Sequence, residues 1–516
     1  MRILLINTPY PSSEFPTIPL GLAYVAALLE KEGIEVQIQD FLVSKYTKEK
    51  LERKMADFAP QIVGITSVTM NYPIASQILK DCKEIDGNII TVIGGPHVSF
   101  WAEEALREAP WIDMVVRGEG EYTMLEVAQG KSLREIDGIA FRENGEIVLT
   151  KPRQWIENLD ELPFPARHLF PLSRYRALFS ECGLFTSRGC PFSCIFCLGP
   201  KMVGKKGRFR NIKLVVDEIE EILSYGFKGI NVADDLFTFN HKHAYAFCDE
   251  IMNRKLKFRW SANARIDTVN PELLSRMKEA GCFFICYGVE SGNQRILDIA
   301  RKKITPEKIR KAIRISKEAG VENLASFIIG LPGETKETLQ ETVNFARELD
   351  TYYGFHLLAP FPGTEVRERA KEYGLRILTD DWLRYNANEP VTETEGVSAA
   401  DLNEIDRKYK EELDWYIRYL EEAGRGGKLD AKEQEEWEKA KGRRHAEITL
   451  RLLQGDIIEN LAGMETKGDV VEELVARVSK EVNYPPDCVG ERIKGMIKEG
   501  ILKHQLQAGR VTWRWS

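Results

Sequence analysis

Short apolar runs recur along the first part of the chain, in RILLIN, VQIQDF, IVGITSV, IITVIGG and MVVRGEG, with helical or turn sequence such as LAYVAALLEKEG after each. Strands that are apolar throughout, separated by amphipathic helices, belong to a parallel sheet covered on both faces. Residues 1–130 are therefore predicted to form a doubly wound, Rossmann-like α/β domain. Over residues 131–181 the pattern turns irregular and prolines gather in ELPFPARHLFPL, which reads as a connector. A second β/α series occupies residues 182–375, with strands GLFTSRG, GINVADD, FRWSANA, FFICYGVES, NLASFIIGLP and FHLLAPFPG. Functional-type residues end almost every one of these strands, so a partial (β/α)6 barrel fits better than a second flat sheet. Residues 376–442 are strongly charged and predict exposed helices. Residues 443–516 predict three helices, at about His445 to Leu461, Asp469 to Val482 and Asp487 to Lys498, then a hairpin in ILKHQLQAGRVTWRWS, a winged-helix-like module.

At 516 residues the chain is too long for one core, and 43% hydrophobic with 29% charged residues is a globular composition. No apolar run reaches the roughly 20 residues that span a bilayer. The start MRILLINTPYP carries one basic residue, and its apolar stretch breaks at Asn7 and Pro9, so it reads as a first strand and not as a signal peptide. These features predict a cytoplasmic protein with no membrane partner. The net charge of −7 is spread along the chain and argues against general nucleic-acid affinity. The helix DVVEELVARVSKEV carries more acidic than basic residues, which argues the same way.

Nine cysteines in a chain read as cytoplasmic predict thiols or metal ligands, not disulfides. Cys82, Cys182, Cys248, Cys282, Cys286 and Cys488 are scattered among apolar neighbours and read as small buried hydrophobes. Cys190, Cys194 and Cys197 crowd into eight residues of SRGCPFSCIFC, immediately after a predicted strand. Three thiolates on one loop can hold three irons of a [4Fe-4S] cubane and leave the fourth iron open. Structural zinc, the alternative, wants a fourth ligand that the loop lacks. Phe196 between the last two cysteines fits an aromatic shield for the cluster.

This loop at the mouth of a β/α barrel resembles the radical S-adenosylmethionine (SAM) superfamily. In YGVESGNQRIL the resemblance implies that Glu290 bonds the SAM ribose, that Gly288 allows close approach and that Ser291 belongs to the same site. In IIGLPGET it implies that Gly330 helps line the adenine and methionine. VADDLFTFN has acidic residues where other members carry Gly-Gly-Glu, so Asp235 is the candidate for the SAM amino group. Arg265 in SANARID suits the SAM carboxylate, a planar anion.

In the front domain, ligands are expected beyond the carboxyl ends of the strands, where Ser67, Thr69, Gly94, Gly95, Pro96, His97, Gly118, Glu119 and Gly120 stand. G-x-G-x-x-G is absent after the first strand, against a dinucleotide site. With Leu20 and Gly21 in PLGLAYVAALLEKEG, and with GGPHVSF and VVRGEGE, these turns resemble the cobalamin-binding domain of many radical SAM enzymes. The chain lacks the D-x-H-x-x-G motif that supplies a lower histidine ligand, which predicts base-off, histidine-off cobalamin. The combined resemblance covers residues 1–375. It implies cleavage of SAM to a 5′-deoxyadenosyl radical and transfer of a cobalamin-borne methyl group to an unactivated carbon. The conditions implied are anaerobic, with a flavodoxin or ferredoxin-type reductant.

C-methylation leads, and a cobalamin-dependent cyclase or rearranging oxidase is the enzyme alternative. A nucleic-acid modifier ranks third. The C-terminal module is expected to dock a peptide or protein substrate rather than take part in radical chemistry.

Overall fold

The computed structural model describes residues 1–11, 16–179, 181–461, 464–465, 468–507 and 510–516. The first sheet contains β1 (Arg2–Asn7), β2 (Glu35–Asp40), β3 (Ile62–Thr66), β4 (Ile90–Gly94), β5 (Met114–Val116), β6 (Ile139–Glu143) and β7 (Glu146–Leu149). Its order is β2-β1-β3-β4-β5-β6-β7, and the first five strands are parallel. Ile3, Leu4, Leu5 and Ile6 of β1 are all buried, as a strand covered on both faces requires. The region read as connector adds β6 and β7, antiparallel, at the sheet edge. Asn144 and Gly145 between them have φ of 51° and 84°, the turn geometry that matches strand twist. Two short strands with charged outer positions leave little apolar signal in the sequence.

The second sheet contains β8 (Cys182–Leu184), with a separate antiparallel pair, β9 (Ser187–Arg188) and β10 (Arg208–Phe209), on its rim. It continues with β11 (Gly229–Val232), β12 (Arg259–Ala264), β13 (Cys282–Glu290), β14 (Glu322–Ile329) and β15 (Tyr352–Leu357). Six parallel strands follow one another in the order β15-β14-β13-β12-β11-β8, and β8 does not pair with β15. The barrel is therefore partial. Trp260, Tyr287 and Phe327 point outward into the fully buried helix–sheet layer. A ribbon of β16 (Leu375–Ile377) and β17 (Thr392–Thr394) follows.

Two long helices, Ala399–Arg425 and Ala431–Gln454, succeed the ribbon. The second starts well before His445 because Asp430 caps it, accepting from the Glu433 amide. Helices Val470–Val482 and Pro486–Lys498 and a small sheet of β18 (Met464–Glu465), β19 (Leu502–Gln507) and β20 (Arg510–Trp515), in the order β18-β20-β19, complete a winged-helix arrangement. Ala508 and Gly509, in the predicted hairpin, lie outside the described residues.

This module is anchored to the body. Arg492 is buried, donates to Thr449 Oγ1 at 2.7 Å and reaches the Ala177 carbonyl. Asp456 accepts the Lys45 amide at 3.1 Å and pairs with Lys50 and Arg174. Among the described residues no helix is long and apolar enough to cross a membrane.

Candidate active site

The cysteine loop leaves β9 through Gly189, whose φ is 110° and whose Cβ would fall 2.3 Å from the Lys206 carbonyl oxygen. Only glycine fits there. The loop is then tied on three sides: Cys190 N donates to Gly204 O at 3.2 Å, Ile195 N to Ala300 O at 3.4 Å, and Val366 N to Ile195 O at 3.0 Å. All three cysteines are free thiols. Burial pushes the Cys190 thiol up and that of Cys197 up to about 11. Among the described residues no three Cys, His, Asp or Glu groups converge on a single-ion site. The donor set is all sulfur, three thiols spread along one loop, which fits the iron corners of a cluster.

Around the barrel mouth the two aspartates separate. Asp234 is buried and accepts four hydrogen bonds, from the amides and hydroxyls of Thr186 and Ser187, while burial pushes it up to about 6. Its work is to hold the strand that leads into the cysteine loop. Asp235 accepts the Gly189 amide, at 2.9 Å, and faces the cavity between the two sheets. Arg265 spends its fork on Asp267, at 2.9 Å, and on the Lys302 carbonyl, at 2.5 Å, and stacks 3.6 Å from the centre of the Phe192 ring.

Glu290 ends β13 with φ of 72° beside an irregularity in the pairing with β14, the kind of break that re-aims a side chain. Its Oε1 lies 2.6 Å from Nζ of Lys302. A Cβ on Gly288 would come within 2.6 Å of that same oxygen, so Gly288 makes room for the pair. Ser291 bonds Thr342 in the core at 3.0 Å. Gly330, with φ of 88°, donates to Glu334 at 2.6 Å, and burial pushes this carboxyl up to about 8. Phe196 is half-buried against the small core of Ile195, Leu331 and Val366.

A cavity of about 330 Å³ opens between the two sheets. Gly21, Gly94, Gly95, Pro96, Gly118, Glu119 and Gly120 line it from the first domain, and Phe185, Arg188, Met202 and Asp235 from the barrel. Two glycines make this space. A Cβ at Gly64 would sit 2.8 Å from Leu5, and one at Gly95, where φ is 106°, would sit 2.3 Å from the Ser67 carbonyl. Such a groove, glycine-cut to the depth of the sheet, fits a large flat ligand with a tail. Leu20, Ser67, Thr69 and His97 do not line it. Leu20 packs over Gly183, and the buried Ser67 hydroxyl has no partner among the described residues. His97 is fully buried between Tyr72 and Trp382, its Nδ1 3.3 Å from Thr69 Oγ1.

At the cavity edge stands a buried network that motif reading does not reveal. Arg188 contacts Glu119 at 2.9 Å and Glu121 at 2.6 Å, and Arg208 contacts Glu119 at 2.8 Å. Burial would raise the Glu119 carboxyl, but the Arg208 hydrogen bond and the Arg188 charge hold it below its ordinary value. The first domain is thereby clamped to the strand that carries the cysteine loop.

The family model of the Radical SAM superfamily matches residues 184–346, and that of the B12 binding domain matches residues 11–128. An uncharacterized methyltransferase of Pyrococcus horikoshii is 37% identical over 430 residues, covering 81% of this chain and 93% of that one. The chain belongs to the B12-binding radical SAM enzymes. Members of this group work with a [4Fe-4S] cluster, SAM and cobalamin. An anaerobic magnesium-protoporphyrin IX monomethyl ester cyclase of Rubrivivax gelatinosus, 31% identical, covers 78% of this chain and 75% of its own. Among solved structures, the cobalamin-dependent SAM radical enzyme OxsB has a TM-score of 0.69 at 19% identity, covering 97% of this chain and 81% of its own. The radical SAM methyltransferase TsrM of Kitasatospora setae has a TM-score of 0.64 at 21% identity, covering 78% and 84%. Both share the fold of this radical SAM enzyme.

Proposed function

We propose that this B12-binding radical SAM enzyme is a C-methyltransferase acting on an unactivated carbon. The observation that carries the reading is the shared cavity: Gly94, Gly95 and Gly120 from one sheet and Arg188 and Asp235 from the other line one space beside the cysteine loop. When bound, the cluster supplies the electron that breaks a carbon–sulfur bond of SAM, and cobalamin carries the methyl group. The chain's own task is positioning. Cys190, Cys194 and Cys197 hold the cluster. Glu290, oriented by Lys302, holds the SAM ribose, while Gly288, Ser291 and Gly330 shape the pocket around it and Asp235 faces the SAM amino group. Phe192, stacked under Arg265, and Phe196 keep water from the loop. Gly21, Gly64, Gly94, Gly95, Gly118 and Gly120 would hold cobalamin by leaving room for it against the backbone. His97 lies outside the cavity and would supply no ligand to cobalamin held there.

For the substrate, the wing offers an edge. Among the described residues β19 pairs only with β20, and its Leu506 is 57% exposed, which suits an extended peptide segment added as a further strand. The second reading, cyclisation or oxidation without methyl transfer, is favoured by the 31% identity to the cyclase.

Coproducts separate the two. Radical methylation consumes one SAM to methionine and 5′-deoxyadenosine and a second to S-adenosylhomocysteine. Anaerobic turnover should therefore release both nucleosides in equal amounts, and replacing any of the three cysteines with Ala should abolish deoxyadenosine. Product formed with deoxyadenosine alone would move the cyclase reading to first place.

A further inference from the structure

The helix Ala399–Arg425 changes its surroundings along its length. Near its start Leu402, Ile405 and Tyr409 pack on the barrel core, and the Tyr409 hydroxyl donates to the Tyr353 carbonyl at 2.6 Å. Leu413, Ile417 and Leu420 continue the same stripe at spacings of four and three residues, past the first residues of β15. There they line a cleft of about 820 Å³ between the barrel and the helix Ala431–Gln454. Val321, Tyr352 and Tyr353 form its barrel side, at the amino ends of β14 and β15. The cysteine loop and Glu290 stand at the carboxyl ends of the strands, so the cleft is separate from the candidate active site. Tyr352 is 41% exposed, and the space is not filled from within the described chain. Apolar and aromatic walls with a few charges, at this volume, are the makings of a small-molecule site.

The charges in the cleft do not cancel. Its lining carries five basic side chains against three carboxylates, and each carboxylate is already engaged. Asp350 pairs with Lys317 at 2.9 Å, Glu322 pairs with Lys439 at 2.8 Å, and Glu436 accepts the Tyr416 hydroxyl. Arg347 is held at 2.5 Å by Glu412, which lies outside the lining. Lys432 and Arg443 remain, and neither forms an ion pair among the described residues. Asp350 is held below the ordinary carboxylate range by Lys317 and, more weakly, by Lys432. Arg443 has no such neighbour.

The position of Arg443 follows from the hairpin. Tyr416 meets Glu436 and Tyr419 meets Glu433 across it, so Arg443 stands at the Tyr409 and Leu413 end and Lys432 at the Leu420 end. From Leu413 to Leu420 the apolar stripe runs about 10 Å, roughly the length of an extended ten-carbon chain. A guanidinium with a free fork at one end of such a stripe suits a planar anion.

We propose that this cleft is a second ligand site that takes an anionic amphiphile, with its carboxylate on Arg443 and its hydrocarbon body along Leu413, Ile417 and Leu420. Apolar surface removed from water supplies most of the affinity. The exposed guanidinium supplies orientation and selects against a cationic head.

The test uses full-length holoenzyme, loaded with cobalamin so that the cavity between the sheets is filled, and decanoate as the probe, read by calorimetry. Arg443→Glu reverses the free cation without breaking an ion pair, and Ile417→Trp fills the middle of the cleft. The expected result is saturable binding of one decanoate per chain, weakened at least about tenfold by either substitution. Decyltrimethylammonium, the same chain on a cationic head, should fail to displace it from the wild type. Arg443 is exposed, so Arg443→Glu keeps the wild-type melting temperature and decides the matter even if Ile417→Trp does not fold. A wild type without saturable decanoate binding would overturn the proposal, as would equal decanoate affinity in the wild type and Arg443→Glu. A dimer in sedimentation that Ile417→Trp dissociates would give the cleft to a second copy of the chain and overturn it too.

Discussion

Lys302 Nζ lies 2.6 Å from Glu290 Oε1 at the barrel mouth, and both side chains are more than nine-tenths buried. The same lysine accepts from Arg265 at its carbonyl, so one residue ties the ends of β12 and β13 together.

Removing one partner of such a pair leaves an uncompensated buried charge, which costs about 3–5 kcal/mol. Lys302→Met should therefore lower the melting temperature sharply. Glu290→Gln/Lys302→Met should recover part of that loss yet still bind SAM weakly. Calorimetry and SAM titration read the two effects separately. A fully stable Lys302→Met protein with unchanged SAM affinity would show that the pair positions nothing.

The clamp of Glu119 on Arg188 and Arg208 predicts a different signature. Glu119→Gln keeps the shape but removes the charge that two buried guanidinium groups share, and about 3–5 kcal/mol of stability should go with it. Because the clamp joins the cavity wall to the cysteine loop, cobalamin binding should weaken in the same variant while the cluster still assembles. Parallel cobalamin titration and iron–sulfur absorbance check this.

His97 tests the histidine-off reading. The spectrum of cobalamin-loaded His97→Phe protein should remain base-off, since the ring lies outside the cavity. Burial, with a smaller contribution from Arg367, lowers the His97 pKa from 6.5 to about 3. The folded state thus binds fewer protons than the unfolded one, so the stability that the neutral ring contributes is present above pH 6.5 and lost as pH falls toward about 3. Wild-type stability should drop across that window more than that of His97→Phe. Equal acid sensitivity in the two proteins would remove His97 as the cause.

Legibility in the sequence followed the range of the interaction. The cysteine loop and the turns at Gly94-Gly95 and Gly118-Gly120 declare themselves because their constraints are local: a tight turn or a close backbone approach needs glycine within one or two positions. Lys302 leaves no local signal because its partner is twelve residues away across a strand end, and Arg188 and Arg208 leave none because theirs lie in another domain. His97 reads as a cavity residue in the sequence because it follows Gly95 and Pro96 directly. In the short helix Pro96–Ser99 the ring packs between Tyr72 and Trp382 and not into the cavity, which no spacing rule shows. The hairpin of β6 and β7 hid among charges for the same reason that exposed edge strands generally do.

The wing predicts a substrate effect that the chemistry does not share. Leu506→Glu leaves the fold intact, because the side chain is exposed, and should raise KM for a peptide substrate about tenfold, some 1.4 kcal/mol, at unchanged kcat. Deleting the module is a poorer test. A cut at Lys441 falls inside the helix Ala431–Gln454 and strips Arg492 and Asp456 from the body, so that truncated chain should lose stability before it loses affinity.

The fate of the SAM methyl group decides between methylation and cyclisation. Anaerobic holoenzyme supplied with methyl-deuteriated SAM, reductant and the peptide and small-molecule extract of the producing cells gives the decisive mass spectrum. The expected product carries the intact deuteriated methyl on carbon and forms in step with 5′-deoxyadenosine. A substrate consumed in step with deoxyadenosine and converted to a product free of label would contradict it.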